Sequence, residues 1–174
     1  MAIVPFWGHI AKNPNKIGKE CLSQWYPASF TALEGTISFP TCEHFMMYNK
    51  AIYFGDFETG SKILQVATPK EAKALGRQVK NFDESEWQLV RERIVYYGNF
   101  YKFTQNKELL DFLLSFPKDT VFVEASPYDR IWGVGLKEND LRINYPEQWQ
   151  GLNLLGKALS RVRVELEVLN EVKS

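Results

Sequence analysis

The sequence predicts a mainly α, multihelical fold with a small β-sheet, organised as one domain over residues 1–174. From Thr41 onward, apolar residues recur at helical spacing behind a succession of Thr, Asp and Asn caps. Alternating β-rich stretches are short and few, at 3–7, 36–39 and 120–125. No internal repeat, charge block or Ser/Gly-rich linker divides the chain. A domain of this length buries roughly 68–70% of its unfolded surface, so the core needs neither disulfides nor metal.

The first forty residues are irregular and rich in turn formers (Asn13-Pro14-Asn15, Gly18, Pro27, Gly35). Thr41 follows Pro40 and caps a predicted helix over 43–54, with Glu43 in the first turn, where a carboxylate suits the macrodipole. That helix is apolar on several faces, as a buried helix is. Asp56 caps a second helix reaching Val66. Thr68-Pro69-Lys70-Glu71 combines a Thr cap, a Pro at the first helical position and a Glu three residues on, and it opens a helix carrying Ala72, Leu75 and Val79. Asp83 starts a fourth helix through Trp87, Val90, Arg91 and Ile94, and Asn106 caps a fifth with Leu109, Leu110, Leu113 and Leu114. The strand at 120–125 leads into a loop at 126–135. A last amphipathic helix begins near Asn153, with Leu155, Leu159, Val162, Leu166 and Leu169 on its apolar side.

Composition narrows the function classes. Lys plus Arg number 21 and Asp plus Glu also 21, so the net charge is zero and a general duplex-coating role is excluded, whereas a local basic pocket for one nucleotide is not. No apolar run approaches the ~20 residues of a membrane span. The N-terminus has no basic flank followed by an apolar stretch, and the two cysteines, Cys21 and Cys42, form no C-x-x-C. The expectation is a soluble, reduced, cytoplasmic protein with no membrane partner. His9 and His44 are the two histidines, which assembles neither a zinc-type cluster nor a Ser-His-Asp or Cys-His arrangement, so no metal or cofactor is expected.

The helix after Pro40 carries the most informative arrangement. Glu43, Met46, Met47 and Lys50 fall at i, i+3, i+4 and i+7, on one face. About 10 Å of axis separates Glu43 from Lys50, but helical side chains lean toward the N-terminus, so Lys50 points back toward Glu43 across a methionine floor. An ionisable pair on an otherwise apolar helix is costly unless paired or functional. A structural ion pair, or a Lys50 that snorkels to water, is the alternative. Trp87 and Trp132 are candidates to sandwich a flat ring, or are core packing. Asp129 lies on a loop just past a strand end, where functional groups and turn-forming Asp are both common. Lys73 and Arg77, at i and i+4, form a phosphate-binding pair or a solvated basic face. Neither Gly133-Val134-Gly135 nor Gly151 with Gly156 matches a Gly-rich phosphate loop.

Taken in order, these landmarks resemble the NADAR superfamily, whose best-known branch is the YbiA-like N-glycosidases. The matching pieces are Leu22-Ser23-Gln24-Trp25-Tyr26-Pro27, Phe39-Pro40-Thr41-Cys42-Glu43-His44 with Lys50, Thr68-Pro69 with Ala72-Lys73 and Leu75-Gly76-Arg77, and Trp87. Lys102-Phe103-Thr104-Gln105-Asn106, Val123-Glu124-Ala125-Ser126 with Asp129 and Trp132-Gly133-Val134-Gly135, and Gly151-Leu152-Asn153-Leu154-Leu155-Gly156 complete the set over nearly the whole chain. Two departures stand out. The family usually has Ser-Asn-Phe/Tyr where this chain has Ser23-Gln24-Trp25, which moves an amide out by one methylene, and the stretch 139–150 is a variable loop.

The resemblance implies an N-glycosyl hydrolase with a YbiA-like domain that cleaves a ribosyl C1–N bond to an exocyclic amine. The implied partner is ADP-ribosylated guanine in a nucleotide or nucleic acid, or a small phosphorylated ribosylamino-pyrimidine of the riboflavin route. Lys50 is then the nucleophile that forms a Schiff base, Glu43 the proton carrier, and Asp129 the group that orients the sugar hydroxyls or shares the acid–base work. Trp87 and Trp132 wall the sugar or base, Arg77 and Lys73 meet phosphate, and Gln24 and His44 are further candidate substrate contacts. Direct attack by water with Glu43 as base is the competing mechanism. A non-catalytic ADP-ribose or nucleotide-binding module is the reading from another class; loss of the acid or amine would favour it, and Glu43, Lys50 and Asp129 are all present.

Overall fold

The computed structural model describes all 174 residues. In chain order the elements are β1 (Ile3–Phe6), β2 (Phe30–Ala32), β3 (Ile37–Phe39), α1 (Cys42–Tyr53), α2 (Phe57–Ile63), α3 (Pro69–Gly76), α4 (Glu84–Thr104), α5 (Lys107–Leu114), β4 (Val121–Glu124) and α6 (Leu154–Lys173). Short 3-10 turns occupy Lys19–Leu22, Leu141–Asn144 and Pro146–Gln148. The fold is mainly helical, and its strands form two separate two-stranded sheets: β1 parallel to β4, and β2 antiparallel to β3. No helix is long and apolar enough to cross a membrane.

Helix starts follow their caps. Side-chain oxygens of Thr41, Asp56, Thr68 and Asp83 accept the backbone N–H of His44, Thr59, Glu71 and Glu86, each satisfying a donor that the first turn leaves orphaned. The Thr68 hydroxyl also donates to Glu71 Oε1 at 2.7 Å, so the Glu that the sequence places three residues after the cap binds the cap's side chain rather than its backbone N–H. Asp56 accepts from the Thr59 and Lys80 backbones and from the Thr59 hydroxyl, and these bonds pull its carboxyl down to about 2.

Helix ends depart from the expectation. α2 stops at Ile63 rather than Val66, because the Val66 carbonyl leaves the helix to meet the His44 ring 3.0 Å away. α3 stops at Gly76, so Val79 is buried from the turn beyond it. On α6 the buried face ends at Leu166, which leaves Leu169 42% exposed rather than in the core. β2 has no counterpart in the sequence reading. Three residues show no periodicity, and the hairpin turn is Leu33-Glu34-Gly35, all at positive φ, instead of a recognisable Asn-Gly.

Residues Met1–Ser23 and Lys107–Ser174 form one compact unit, and Gln24–Asn106 forms another. In the first, β1 pairs with β4 in the register Ile3↔Val121 to Phe6↔Glu124, and α6 packs on β4 and α5. Asn153, in the left-handed conformation (φ 54°), ties α6 to the sheet: its Oδ1 accepts from Glu124 N at 3.0 Å and its Nδ2 donates to Phe122 O at 2.9 Å. Gly156 lets the helix approach this close, since a Cβ there would collide with the Phe122 carbonyl oxygen and the Asn153 side chain. The buried Arg163 guanidinium donates to the Phe116 carbonyl from both Nε (2.9 Å) and Nη2 (2.7 Å), closing the chain after α5.

In the second unit α1 is the central element, packed against α2, α3 and α4, with the β2–β3 hairpin against α1 and α4. Phe30, Phe39 and Phe45 interlock at ring-centroid distances of 5.1–5.7 Å, with Tyr48 and Tyr101 at the edge. Cys21 and Cys42 are both buried thiols, and burial pushes the Cys42 thiol up to about 11.

These contacts predict that Gly156→Ala costs about 2–3 kcal/mol by overpacking and that Asn153→Ala costs about 2 kcal/mol by orphaning a buried amide and carbonyl. Urea denaturation of both variants checks this.

Candidate functional site

α1 is fixed at its start from several sides. Thr41 caps it, and the Glu43 backbone N–H donates to the Gln24 carbonyl at 3.1 Å. Gln24 itself is buried, and its side chain exchanges two hydrogen bonds with Asn99 on α4, at 3.0 and 3.2 Å. Asn99 also donates to the Val95 carbonyl at 2.8 Å. The amide that differs from the family pattern is therefore spent on positioning α1 against α4.

His44 is fully buried, with Nδ1 2.7 Å from Thr41 Oγ1 and Nε2 3.0 Å from the Val66 carbonyl. Both ring nitrogens are engaged, so it offers none to a ligand; it pins the α2–α3 connection to α1. Burial is the main cause that lowers its pKa. Met47 is likewise a packing residue: Gly76 of α3 lies so close that a Cβ there would collide with the Met47 sulfur.

What remains on the face is an acid and an amine. Glu43 is 5% exposed. Lys50, partly buried in the last turn, puts its ammonium 4.5 Å from the Phe82 ring centroid and 5.9 Å from that of the buried Trp87. The Lys50 pKa is lowered chiefly by burial; Glu84 and then Glu43 pull it back up, and Arg77 adds to the lowering. Arg77 thus acts on the amine through space, from an exposed position just after α3. Lys73, also exposed, sits 5.9 Å from the Trp25 ring.

Phe82 and Glu84 were not among the sequence candidates. Both lie at the start of α4, where Glu84 reads only as a first-turn acid and Phe82 as the residue before a cap. Nothing in the local pattern announces that the fold brings them to Lys50. The buried Arg91 holds Glu84 in place, Nη1 to Oε1 3.5 Å.

Asp129 and Trp132 belong to the other unit. Asp129 Oδ1 accepts from the backbone N–H of Ile131 (2.9 Å) and Trp132 (2.8 Å), and its own N–H donates to Ser126 Oγ at 3.2 Å. One carboxylate oxygen thus builds the turn, while Oδ2 takes no part in it. Gly133 completes this loop, where a Cβ would fall 2.8 Å from the Glu124 carbonyl oxygen. No three His, Cys, Asp or Glu side chains come together as a metal-holding group.

A half-buried ammonium is a stability cost. Replacing it by Lys50→Met is predicted to stabilise the protein by about 0.5–1 kcal/mol at pH 7. The sign with pH follows from the lowered pKa. Native protein disfavours the ammonium, so wild type gains stability as pH rises through the folded pKa toward 10.5, and the advantage of the methionine variant shrinks over that range. Urea midpoints at pH 7 and pH 10 measure it.

The NADAR domain profile matches residues 6–167. N-glycosidase R617 of Acanthamoeba polyphaga mimivirus is 40% identical over 157 residues, covering 88% of this chain and 91% of that protein. Riboflavin biosynthesis protein VVA0006 of Vibrio vulnificus is 31% identical over 146 residues, covering 84% of this chain and 35% of that protein. Among solved structures, the NMR structure of the Escherichia coli protein YbiA superposes with a TM-score of 0.76 at 24% identity, covering 97% of this chain and 87% of that one, a likeness of fold. With the match spanning almost all of its length, this chain belongs to the NADAR domain family.

Proposed function

We propose that the protein is an N-glycosidase that hydrolyses a ribosyl C1–N bond to an exocyclic amine, and that its substrate is ADP-ribosylated guanine in nucleic acid. The observation that carries this reading is Lys50: an amine whose pKa is lowered by burial, on the same helix face as a buried Glu43 and against two aromatic rings. Family membership supports the reaction class, as does the name of the 40% identical mimiviral relative.

An exocyclic N-riboside opens when its ring oxygen takes a proton, leaving an iminium at C1. The neutral Lys50 amine attacks C1, its proton passes to the guanine nitrogen, and the C1–N bond breaks with guanine leaving as a neutral amine. The sugar remains as a Lys50 Schiff base. Water, deprotonated by Glu43, adds to C1, and the resulting carbinolamine collapses to release the aldehyde and regenerate the amine. Phe82 and Trp87 shield the amine from water, and Arg77 and Lys73, both exposed, are the groups proposed to meet phosphate. The roles of Asp129 (orienting sugar hydroxyls) and Trp132 (walling the base) rest on the family motif alone. A second reading, hydrolysis of a ribosylamino-pyrimidine phosphate, is favoured by the name of the Vibrio relative.

Intact-protein mass spectrometry during turnover of an ADP-ribosylated-guanine oligonucleotide with borohydride present is the test. Restored guanine and a sugar adduct on Lys50 are expected, with Lys50→Ala inactive and Glu43→Gln slowed about 10²–10⁴-fold. Near-normal turnover by Lys50→Ala eliminates the Schiff base and leaves direct water attack. An unchanged oligonucleotide beside a cleaved ribosylamino-pyrimidine phosphate replaces the first substrate with the second.

The pH profile offers an independent check. The reacting species is the neutral amine, so log kcat/KM should rise to a plateau at an inflection below 10.5. Glu84→Gln should move that inflection down and Arg77→Gln should move it up.

A further inference from the structure

The first unit carries an open groove in two lobes, of about 250 and 520 Å³, both lined by Trp7, Lys12 and Glu138. Its position follows from the β1–β4 register. Phe6 pairs with Glu124, so Trp7 and the loop through Tyr128 both emerge past the same ends of two parallel strands. Trp7 is 54% and Tyr128 85% exposed, which is high for rings of this size with no covering element. Lysines mark the groove along its length, Lys16 in one lobe, Lys12 in both and Lys137 in the other.

Four lysines line the two lobes against two glutamates, and the glutamates are already engaged. Glu138 pairs with Lys19 at 3.0 Å, and Glu20 accepts the Lys12 backbone N–H at 3.0 Å and lies in the field of the Lys12 and Lys19 ammoniums, while Lys16 and Lys137 take part in no ion pair and are the lysines left without a counter-charge. Exposed rings interleaved with unneutralised lysines in an open channel are the physical requirements for a strand whose bases stack and whose phosphates need cations. A pocket for a small molecule would enclose most of its ligand, which this open surface does not do.

We infer that this groove binds a single-stranded nucleic-acid segment, with bases stacked on Trp7 and Tyr128 and phosphates at Lys12, Lys16 and Lys137. The inference rests on the reading that the substrate is a modified base within a strand. It places the neighbouring nucleotides beside the loop that carries Asp129, the residue directly after Tyr128.

Fluorescence anisotropy with an unmodified, labelled single-stranded DNA hexamer tests it, together with the ratio of turnover on an ADP-ribosylated oligonucleotide to that on ADP-ribosylated guanosine. Wild type should bind the hexamer with log K falling against log salt at a slope of about −1.4 to −2, for two to three phosphates. Trp7→Ala and Tyr128→Ala should each weaken binding about tenfold. Lys137→Glu should lower the magnitude of the slope by about 0.7. All three should reduce turnover on the oligonucleotide about tenfold more than turnover on the mononucleoside. Equal hexamer affinity in wild type and variants, or no salt-dependent binding, overturns the proposal, as does displacement of the hexamer by free ADP-ribose with an unchanged turnover ratio. Groove-dependent hexamer binding without turnover of either substrate would sustain the strand groove and overturn the proposed reaction instead.

Discussion

A lysine ammonium held 4.5 Å from one aromatic ring and 5.9 Å from another, on a helix buried on most sides, is the constraint around which the second unit is arranged. Burial disfavours its charge and Arg77 adds to that, while the ring faces and two carboxylates favour it, and the net effect is a pKa below the ordinary lysine value. A partly buried ammonium is nonetheless a cost to folding that an apolar side chain at this position would not carry.

Holding such a group requires a rigid helix, and the contacts on α1 supply one. Thr41 satisfies its first turn, and the Gln24–Asn99 amide pair joins the segment before it to α4. His44 spends both ring nitrogens on its surroundings, and the side-chain-free surfaces of Gly76 and Gly98 admit Met47 and Phe45 at contact distance. The first unit uses the same devices. Asn153 and Gly156 press α6 against β4, and that strand leads into the loop where Asp129 builds its turn. Precision of a few tenths of an ångström in a site comes from such supports rather than from the reacting groups.

How much of this is legible in the sequence depends on whether the signal is local. Helix starts at 41, 56, 68 and 83 are readable because a cap is a side-chain-to-backbone bond spanning three residues. The end of α2 is not, because it is decided by His44, over twenty residues away. The spacing of Glu43 and Lys50 places them on one face, since i and i+7 need only the helix to form. Phe82 and Glu84 reach Lys50 only through the packing of α4 on α1, and no spacing rule encodes that. His44 and Gln24 belong to a readable motif, and what the motif does not announce is that both side chains take internal hydrogen-bond partners. Trp7 and Tyr128 line one groove through the parallel pairing of strands far apart in sequence (Ile3↔Val121), a long-range event to which local pattern is blind.

The account stands or falls on the protonation of one amine in the folded protein. The most direct measurement is a pH titration of the Lys50 side chain by NMR on protein labelled with ¹³C at lysine Cε, the resonance being assigned by its loss in Lys50→Arg. The account predicts an inflection clearly below 10.5 and below those of the exposed lysines in the same spectrum, and a further downward move in Glu84→Gln. A Lys50 inflection at or above the ordinary lysine value would contradict it, because the helix would then be presenting a permanent cation in place of a nucleophile.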